Sequence, residues 1–385
     1  MGRPKETVAL ENDVRSKRQA AGLSQQALAT RCGTTRQAIN AIEAGRYAPS
    51  TSVALRLARV LGCTVEALFR LPDVASHIEA EFLGESLPAA AVRTRCQVAR
   101  VGTRLLAHPL TGALSAFTAA DGLLVPAATE APRADRWVDI ELLVDAQVPE
   151  NTVVVLGCDP ALALLGAHLT RRYPTLRLVW VPRSSLAALR MLGRGEAHAA
   201  GTHLWDPESG ESNMPYVRRE LAGHRLVVVT LSQWQQGLIV APGNPKGITG
   251  PADLARPEVR LVNRDAGSGS RVLFDMWLHE AGIASDWVSG YEREVPSHLA
   301  VAEAVASGGA DVGPGILAVA LALGLDFIPL QEERYDLVIP LAFLQTAPVQ
   351  ALLEVIASLR FRAELEALGG YDGSRAGTVV AELGA

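Results

Sequence analysis

A short segment near the N-terminus holds side chains that could read DNA. They are Thr35, Arg36, Gln37 and Asn40. Glutamine and asparagine can each form two hydrogen bonds with adenine, and arginine can bind guanine or a phosphate. A helix that enters the major groove needs such groups near its N-terminal end. The segment is therefore a candidate for DNA recognition.

Two short helices are expected to position these side chains. Their apolar residues recur at helical intervals, as Leu23, Ala27, Leu28 and Cys32 and then as Ala38, Ile39 and Ile42. Ser24 is a suitable N-cap for the first helix and Thr34 or Thr35 for the second. Gly33 can adopt the positive φ of a short turn between them. Further helices are expected over about residues 9–21, from about residue 51 and from about residue 64.

Short motifs follow one another in a fixed order over residues 10–70. They are Ser-Gln-Gln-x-Leu-Ala, Gly-Thr-Thr-Arg-Gln, Ile-x-x-Ile-Glu-x-Gly, Ala-Pro-Ser and Leu-x-x-Ala-x-x-Leu. This order resembles the Xre/Cro/C1-type helix-turn-helix family of transcriptional regulators. The resemblance implies that Arg36, Gln37 and Asn40 reach the bases of an operator, and that the protein binds it as a homodimer.

The same resemblance implies roles for residues around the recognition helix. Gln25 is expected to contact a phosphate or to support that helix. Thr35 and Arg46 are further candidates for DNA contacts. Glu43 is expected to be structural and to hold the loop around Arg46 and Tyr47.

Charge is distributed unevenly along the 385 residues. Residues 1–72 contain 11 Lys and Arg against 5 Asp and Glu, whereas the remainder contains 25 against 36. A basic module on an acidic body localises the attraction for DNA to one end of the chain. The overall net charge of −5 conceals this division.

The chain length suggests two or three domains, because one ordinary core rarely serves so many residues. No apolar run approaches the ~20 residues of a membrane span, and the first residues lack the apolar core of a signal peptide. The cysteines Cys32, Cys63, Cys96 and Cys158 are scattered, without a Cys-x-x-Cys motif. We therefore expect reduced thiols and a cytoplasmic protein.

The pattern along the chain predicts a multi-domain protein. An all-α N-terminal domain (1–72) is followed by a connecting region (73–150) with a linker helix at about 74–90 and a small β-rich segment at about 92–127. From residue 151 onward, buried strands alternate with helices, which is typical of an α/β domain. Two short strands are expected at 325–330 and 335–341. A second lobe is expected at about 243–315, so that the α/β domain (151–385) has two lobes.

Several predicted strand-to-helix junctions are rich in small polar residues, and ligands bind at such junctions in α/β sheets. The longest junction, residues 263–271, offers hydroxyl groups and the free N–H groups of a following helix, which favour anions. The candidate ligand-binding residues are Cys158, Asp159, Ser184, Ser185, His203, Asn263, Ser268, Gly269, Ser270 and Arg271. Arg264 could instead pair with Asp265 or Glu294.

Motifs that demand catalysis are missing from the sequence. There is no Gly-x-Gly-x-x-Gly dinucleotide fingerprint, no Gly-Lys-Ser/Thr phosphate loop and no Gly-x-Ser-x-Gly nucleophile elbow. The histidines His203, His224, His279 and His298 lack the spacing of metal ligands. We therefore expect neither an enzyme nor a metal site nor a cofactor.

Seven blocks over about residues 150–345 match a second family in order. They are GCDPAL, AHAAGTHLWDPESGESN, QGLIVAPGNP, VNRDAGSGSR, GYERE, SHLAVAEAVASGGADVG and LDFIPL. They resemble the periplasmic-binding-protein-like domains that are fused to helix-turn-helix modules and are related to molybdate- and tungstate-binding proteins. This implies a type II, two-lobed fold with an oxyanion effector. Asp265 replaces the family's usual glutamine and adds a negative charge beside the expected anion.

Together these features indicate a one-component, ligand-responsive transcriptional regulator whose effector is molybdate or tungstate. Sulfate and small organic acids remain alternatives for the ligand. Two other functions stay open. One is an enzyme or binding protein of molybdenum or tungsten cofactor metabolism with an autoregulatory DNA-binding domain, and the other is a DNA-bound interaction platform with a degenerate cleft.

Overall fold

The computed structural model describes residues 10–70, 76–84, 93–111, 115, 117–125 and 136–384. The chain divides into two compact units, Met1–Ala75 and Ser76–Ala385. In the described part of the chain, no helix has the length and apolar character needed to cross a membrane.

Over residues 10–70, the first unit forms four short helices: α1 (Val14–Ala20), α2 (Gln25–Arg31), α3 (Arg36–Glu43) and α4 (Thr51–Leu61). Their apolar faces enclose a core that includes Leu28, Ile39 and Leu57. The hydroxyls of Ser24 and Thr35 cap α2 and α3 by accepting hydrogen bonds from the backbone. The predicted helix-turn-helix is therefore confirmed.

The helix expected from about residue 64 is wrong. Residues 64–68 form a turn that leads into β2 (Phe69–Arg70), which pairs antiparallel with β1 (Glu11–Asn12). Leu68 is buried in the helical core, and its N–H bonds to the carbonyl of Val65 three residues earlier. The apolar spacing that suggested a helix thus serves one turn and the strand that follows it.

A closed five-stranded barrel begins the second unit. Its strands are β3 (His77–Phe82), β4 (Arg95–Val101), β5 (Arg104–Pro109), β6 (Gly122–Leu124) and β7 (Trp137–Leu142), in the order β3-β5-β4-β6-β7. The expected linker helix is wrong where the structure describes it. Residues 77–82 alternate between polar and apolar, and this period of two places Ala80 and Phe82 in the barrel core.

The remainder is an α/β domain. Its first half, residues 152–220, carries parallel strands. Its elements are β8 (Thr152–Gly157), α5 (Ala161–Arg172), β9 (Arg177–Pro182), α6 (Ser185–Gly193), β10 (Ala199–Thr202), β11 (Trp205–Asp206), β12 (Glu211–Ser212) and α7 (Met214–Glu220). The strand β8 pairs parallel with both β9 and β10.

Two long strands then cross the whole domain. They are β13 (Leu226–Val240) and β17 (Asp326–Pro340), which pair antiparallel along their length with irregularities between Thr230 and Ser232 and between Gln236 and Gly237. Between them lie β14 (Asn263–Arg264), α8 (Gly269–Glu280), β15 (Glu294–Val295), α9 (His298–Ala306), β16 (Val312–Ile316) and α10 (Leu317–Ala322). The two strands predicted near residues 325–341 are therefore one continuous strand.

The last elements of the chain return to the first half of the domain. It forms α11 (Leu341–Leu344), α12 (Ala347–Ile356), α13 (Leu359–Ala367), β18 (Tyr371–Asp372) and β19 (Val379–Leu383). The eight-stranded sheet has the order β16-β13-β17-β10-β8-β9, and β18 and β19 also pair with β13. The expected α/β domain is thus confirmed, while its division into two lobes stays a prediction.

Candidate functional site

The exposed face of α3 carries the residues predicted to contact DNA. Arg36, Gln37 and Asn40 are all exposed there, and Arg46 is exposed shortly after the helix. Thr35 is exposed too, but its hydroxyl accepts a hydrogen bond from the N–H of Ala38 at 3.1 Å. Thr35 therefore fixes the N-terminus of α3, and the other side chains extend from a helix whose start is anchored.

A buried ion pair supports this helix from behind. Glu43 Oε1 accepts from Arg18 Nε at 2.6 Å, and its Oε2 accepts from Gln25 Nε2 at 2.9 Å. Burial raises the pKa of Glu43, but the hydrogen bonds from Arg18 and Gln25 outweigh it and leave that pKa below its usual value. Glu43 is therefore structural as expected, although its described hydrogen-bond partners lie on α1 and α2 rather than in the loop at Tyr47.

A cluster of buried polar and aromatic side chains lies where the two halves of the α/β domain meet. We call it the buried polar cluster. Its members are Cys158, His203, Trp234, Gln236, Ser270, His298, Glu333 and Tyr335. The first two follow strands of the first half, Ser270 and His298 begin the helices α8 and α9, and the remainder lie on the crossing strands. The fold thus collects residues that are far apart in sequence.

His203 is at the centre of the buried polar cluster. Its Nε2 lies 3.1 Å from the Sγ of Cys158, and its Nδ1 lies 3.0 Å from Oε2 of Glu333. Burial alone would lower the pKa of His203, but the charges of Cys158 and Glu333 on either side of the ring raise it to about 10. These two neighbours therefore favour a proton on the ring, and Nδ1 of His203 pairs with Glu333 inside the protein.

Several buried polar atoms near His203 have no hydrogen-bond partner within the described chain. They are both ring nitrogens of His298, Nη1 of Arg264, Oε1 of Gln236, Oε1 of Glu333 and the hydroxyl of Tyr335. An unsatisfied buried polar group costs about 1–3 kcal/mol. Such groups are rare in folded proteins, and so many in one place indicate a site for a ligand.

Most polar groups of the long junction before α8 already bond to other groups of the protein, which the sequence did not indicate. The hydroxyl of Ser268 caps α8 by accepting from the N–H of Arg271, and Ser270 Oγ accepts from Gln236 Nε2 at 2.9 Å. A Cβ on Gly269 would lie 1.9 Å from the carbonyl oxygen of His203, so a side chain does not fit there. Asn263 donates to the carbonyl of Tyr291.

Arg271 is committed to neighbouring carboxylates. Its guanidinium pairs with Asp275 and with Glu294 and stacks on the ring of Tyr291 at 4.2 Å. Arg264 pairs instead with Asp265, as one of the two expectations for it stated. Because Nη1 of Arg264 has no partner in the described chain, Arg264 is the better placed of these two arginines to bind a ligand.

The other predicted ligand residues flank the buried polar cluster. Ser185 Oγ accepts from the N–H of His203 at 3.3 Å, and Ser184 is the half-buried N-cap residue of α6. Asp159 Oδ1 accepts from the hydroxyl of Tyr371 at 2.7 Å. Burial raises the pKa of Asp159 to about 6 against the lowering effect of that bond. Asp159 is therefore easier to protonate than an exposed carboxyl group.

Sequence reasoning missed much of the buried polar cluster. It did not select Trp234, Gln236 or Glu333, whose positions on the long crossing strands gave no local motif. The sequence analysis rejected His298 as a metal ligand because the histidines lack, along the sequence, the spacing that metal-binding motifs show. Polar residues inside otherwise apolar strands were the available indication, since a central strand rarely tolerates them without a purpose.

Known proteins match parts of both units. Residues 14–68 match a helix-turn-helix family model, and residues 166–357 match a model described as a PBP superfamily domain. An HTH-type transcriptional regulator of Methanothermobacter thermautotrophicus is 53% identical over 61 residues, which is 16% of this chain and 88% of that protein. A solved phosphate ABC transporter substrate-binding protein with bound phosphate from Clostridium perfringens aligns over 58% of this chain and 99% of its own, at 10% identity and a TM-score of 0.45.

The two matched domains define a helix-turn-helix regulator fused to a substrate-binding-type domain. The protein YvgK of Bacillus subtilis is 36% identical over 230 residues, which cover 60% of this chain and 74% of YvgK. The chain belongs to the family of YvgK.

Proposed function

We propose that this protein is a one-component transcriptional regulator that binds an operator through α3 and a small effector in the buried polar cluster. The observation that carries the proposal is the set of partnerless buried atoms in a domain joined to a DNA-binding module. A DNA-binding domain combined with a domain that has a buried ligand site is typical of a sensor rather than of an enzyme.

We further propose that the effector is a small oxyanion, with molybdate or tungstate as the first candidate. An oxyanion needs several hydrogen-bond donors around it. Arg264 Nη1, the hydroxyl of Ser270 and the N-terminal end of α8 supply donors. The charge of Asp265 is taken up by Arg264 and that of Glu333 by His203, so neither leaves an unopposed negative charge.

Two copies of the chain are expected to bind two operator half-sites, as helix-turn-helix dimers do. An effector bound in the buried polar cluster lies between Ser270, on the segment between the crossing strands, and Cys158 and His203 of the first half. It therefore favours their closed arrangement, and this difference in affinity between arrangements is what a change in DNA binding requires.

A thermal-shift panel of molybdate, tungstate, sulfate, phosphate and small carboxylates tests the choice of effector. A ligand at 100 times its Kd stabilises the protein by about 2.7 kcal/mol. Arg264→Lys keeps the positive charge but removes Nη1, and it should weaken binding at least about tenfold, as expected for a charge-assisted hydrogen bond. Arg260→Lys, at an exposed arginine paired with Asp311, is the matched control and should bind normally.

Fluorescence anisotropy with a DNA fragment selected by the protein from a random pool tests the regulation. The bound effector should shift the Kd for that fragment about 5–150-fold, the usual range of allosteric coupling. An unchanged DNA affinity at saturating effector would contradict the proposal, even if the effector binds.

A further inference from the structure

Three metal-ligating side chains meet in the buried polar cluster. They are Cys158, His203 and His298, all of them buried, and their ligating atoms lie within 4.8 Å of one another. Cys158 follows β8, His203 follows β10, and His298 is the first residue of α9. Sequence spacing could not reveal this group, because its members come from three separate elements.

His298 has the features of an unoccupied metal ligand. Its side chain is fully buried, and neither Nδ1 nor Nε2 has a hydrogen-bond partner in the described chain. A neutral imidazole carries one N–H and one lone pair. The ring of His298 lies 5.7 Å from that of His203, measured between centroids, and the ligating atoms of the two rings lie within 4.8 Å of each other.

His203 is oriented as metal-bound histidines are. One ring nitrogen, Nε2, faces the sulfur of Cys158, while the other, Nδ1, faces Glu333. A carboxylate on the far nitrogen fixes the tautomer and orientation of a histidine ligand. The indole N–H of Trp234 holds the same carboxylate oxygen at 3.4 Å and thereby fixes its position.

The spacing suits a tetrahedral ion. Zinc binds sulfur at about 2.3 Å and histidine nitrogen at about 2.0–2.1 Å, which places tetrahedral ligand atoms about 3.5 Å apart. To reach this spacing, the 3.1 Å separation of Cys158 and His203 must widen by about 0.4 Å, and a separation of up to 4.8 Å must shorten by up to about 1.3 Å. One thiolate and two imidazoles form a donor set for Zn²⁺ and related ions rather than for Mg²⁺ or Ca²⁺.

We propose that Cys158, His203 and His298 bind a thiophilic divalent transition metal ion, with Zn²⁺ as the first candidate and Glu333 as the positioning residue for His203. Two ligands come from the first half of the α/β domain, and the third comes from the segment between the crossing strands. The ion therefore ties the two halves together. Three protein ligands leave one coordination position for water or a small anion.

The same three residues could serve without an ion. In that case Cys158 and His203 form a hydrogen-bonded pair, and His298 takes no part in it. The free nitrogens of His298 favour the metal site over this alternative, because the pair needs no third group.

Cobalt provides a direct test, since Co²⁺ replaces Zn²⁺ and reports a thiolate ligand by a charge-transfer absorption band. Full-length protein is stripped with a chelator under reducing conditions and titrated with Co²⁺ alone. We expect one ion per chain with that band. Cys158→Ser should abolish the band, and Glu333→Gln should retain it while lowering affinity about 10–100-fold. Cys63→Ser, at a partly exposed cysteine outside the cluster, is the matched control and should behave as wild type.

His298 is tested by two variants, in case loss of the ring disturbs folding. His298→Ala should lower the affinity for Co²⁺ more than Glu333→Gln does. His298→Cys should restore tight binding with a stronger thiolate band. Stoichiometric binding with an unchanged spectrum in Cys158→Ser, or the absence of any such band in the wild-type protein, would overturn the proposal.

This inference does not depend on the proposed oxyanion. Failure of every oxyanion in the thermal-shift panel leaves the cobalt titration unaffected. Failure of the cobalt titration leaves the choice of effector to that panel.

Discussion

The face of α3 and the buried polar cluster use similar polar residues in opposite ways. On α3, Arg36, Gln37 and Asn40 are exposed, and the structure that supports them lies behind the helix in the Arg18–Glu43 pair. In the buried polar cluster, the polar side chains are themselves buried. His203 bonds to Glu333 there, whereas His298 has no hydrogen-bond partner within the described residues.

The difference separates two kinds of substitution. Removing an exposed DNA-contacting side chain should change binding without changing stability, because that side chain supports nothing else. Removing a member of the buried polar cluster changes both at once. The side chains with free buried atoms, Arg264 and His298, are therefore better probes of the ligand than Ser268 or Arg271, whose polar groups already serve the fold.

The largest effect is expected from the support behind α3. Glu43→Gln leaves the buried Arg18 without its carboxylate and should cost about 3 kcal/mol. Hydrogen exchange of the α2 and α3 amides, read by mass spectrometry, measures it, and the exposed Glu66→Gln is the control. If the α2 and α3 amides were equally protected in Glu43→Gln and Glu66→Gln, Glu43 would not support α3, and the proposed difference between supporting residues and DNA-contacting residues would fail.

The same pair sets a pH dependence. The pKa of Glu43 is lowered in the folded protein, so its stabilising effect is complete above the unfolded pKa of about 4.3 and is lost as pH falls through the folded value. Protection of α2 and α3 should therefore decline in acid in the wild type. In Glu43→Gln this part of the decline should be absent.

A second test compares two arginines with similar contacts. Arg271 and Arg219 each pair with a carboxylate and stack on a tyrosine, but their side chains are 10% and 62% exposed. Arg271→Ala should cost about 2–3 kcal/mol, reduced from the fully buried case because Asp275 and Glu294 are partly exposed. Arg219→Ala should cost less than about 1 kcal/mol. Urea unfolding followed by tryptophan fluorescence reports on the second unit, since all six tryptophans lie there.

The exposed surface is tested with DNA. Asn40→Ala should lose about 1–3 kcal/mol of binding to the selected fragment, the usual value of a bidentate base contact. Binding to unrelated DNA should stay unchanged, because phosphate contacts are independent of sequence. Fluorescence anisotropy on both fragments measures the two affinities, and equal losses on both would assign Asn40 to the backbone of the DNA.

The smallest effect concerns the junction before α8. Ser268→Ala should lower the free energy of unfolding by about 1 kcal/mol, as loss of an N-cap does. Ser297→Ala, which removes the equivalent cap of α9, should cost a similar amount. A loss of effector affinity in the first variant beyond its stability change would restore Ser268 as a ligand contact.

The helix-turn-helix was accessible from sequence because its determinants are local. Caps at Ser24 and Thr35, the turn at Gly33 and apolar residues at helical spacing all lie within a few residues of their effects. The helix at about residue 64 was expected from apolar spacing and the linker helix from a content of alanine, glutamate and serine, and neither feature excludes a turn or a strand. The pairing of Phe69–Arg70 with β1 and of residues 77–81 with β7 involves distant segments that neither feature could reveal.

The α/β architecture was also predictable, but the contents of the buried polar cluster were not. Cys158 and His203 stand at strand ends, where a general rule for α/β sheets directs attention. Glu333 and Trp234 oppose each other on β17 and β13, nearly a hundred positions apart, and that register follows from the whole sheet. Whether Arg264 or Arg271 keeps a free N–H depends on which carboxylate each meets, and composition does not contain this information.

If one half of the α/β domain rotates against the other when an effector binds, the two crossing strands are the natural pivot, because they pair along their whole length. Rotation of one half of the α/β domain about β13 and β17 displaces each atom in proportion to its distance from them. Trp234, Gln236 and Glu333 lie on the strands themselves and keep their mutual spacing through such a rotation. His298 lies on α9 and moves with its half of the domain. Its distance from Trp234, Gln236 and Glu333 therefore changes with the angle of rotation.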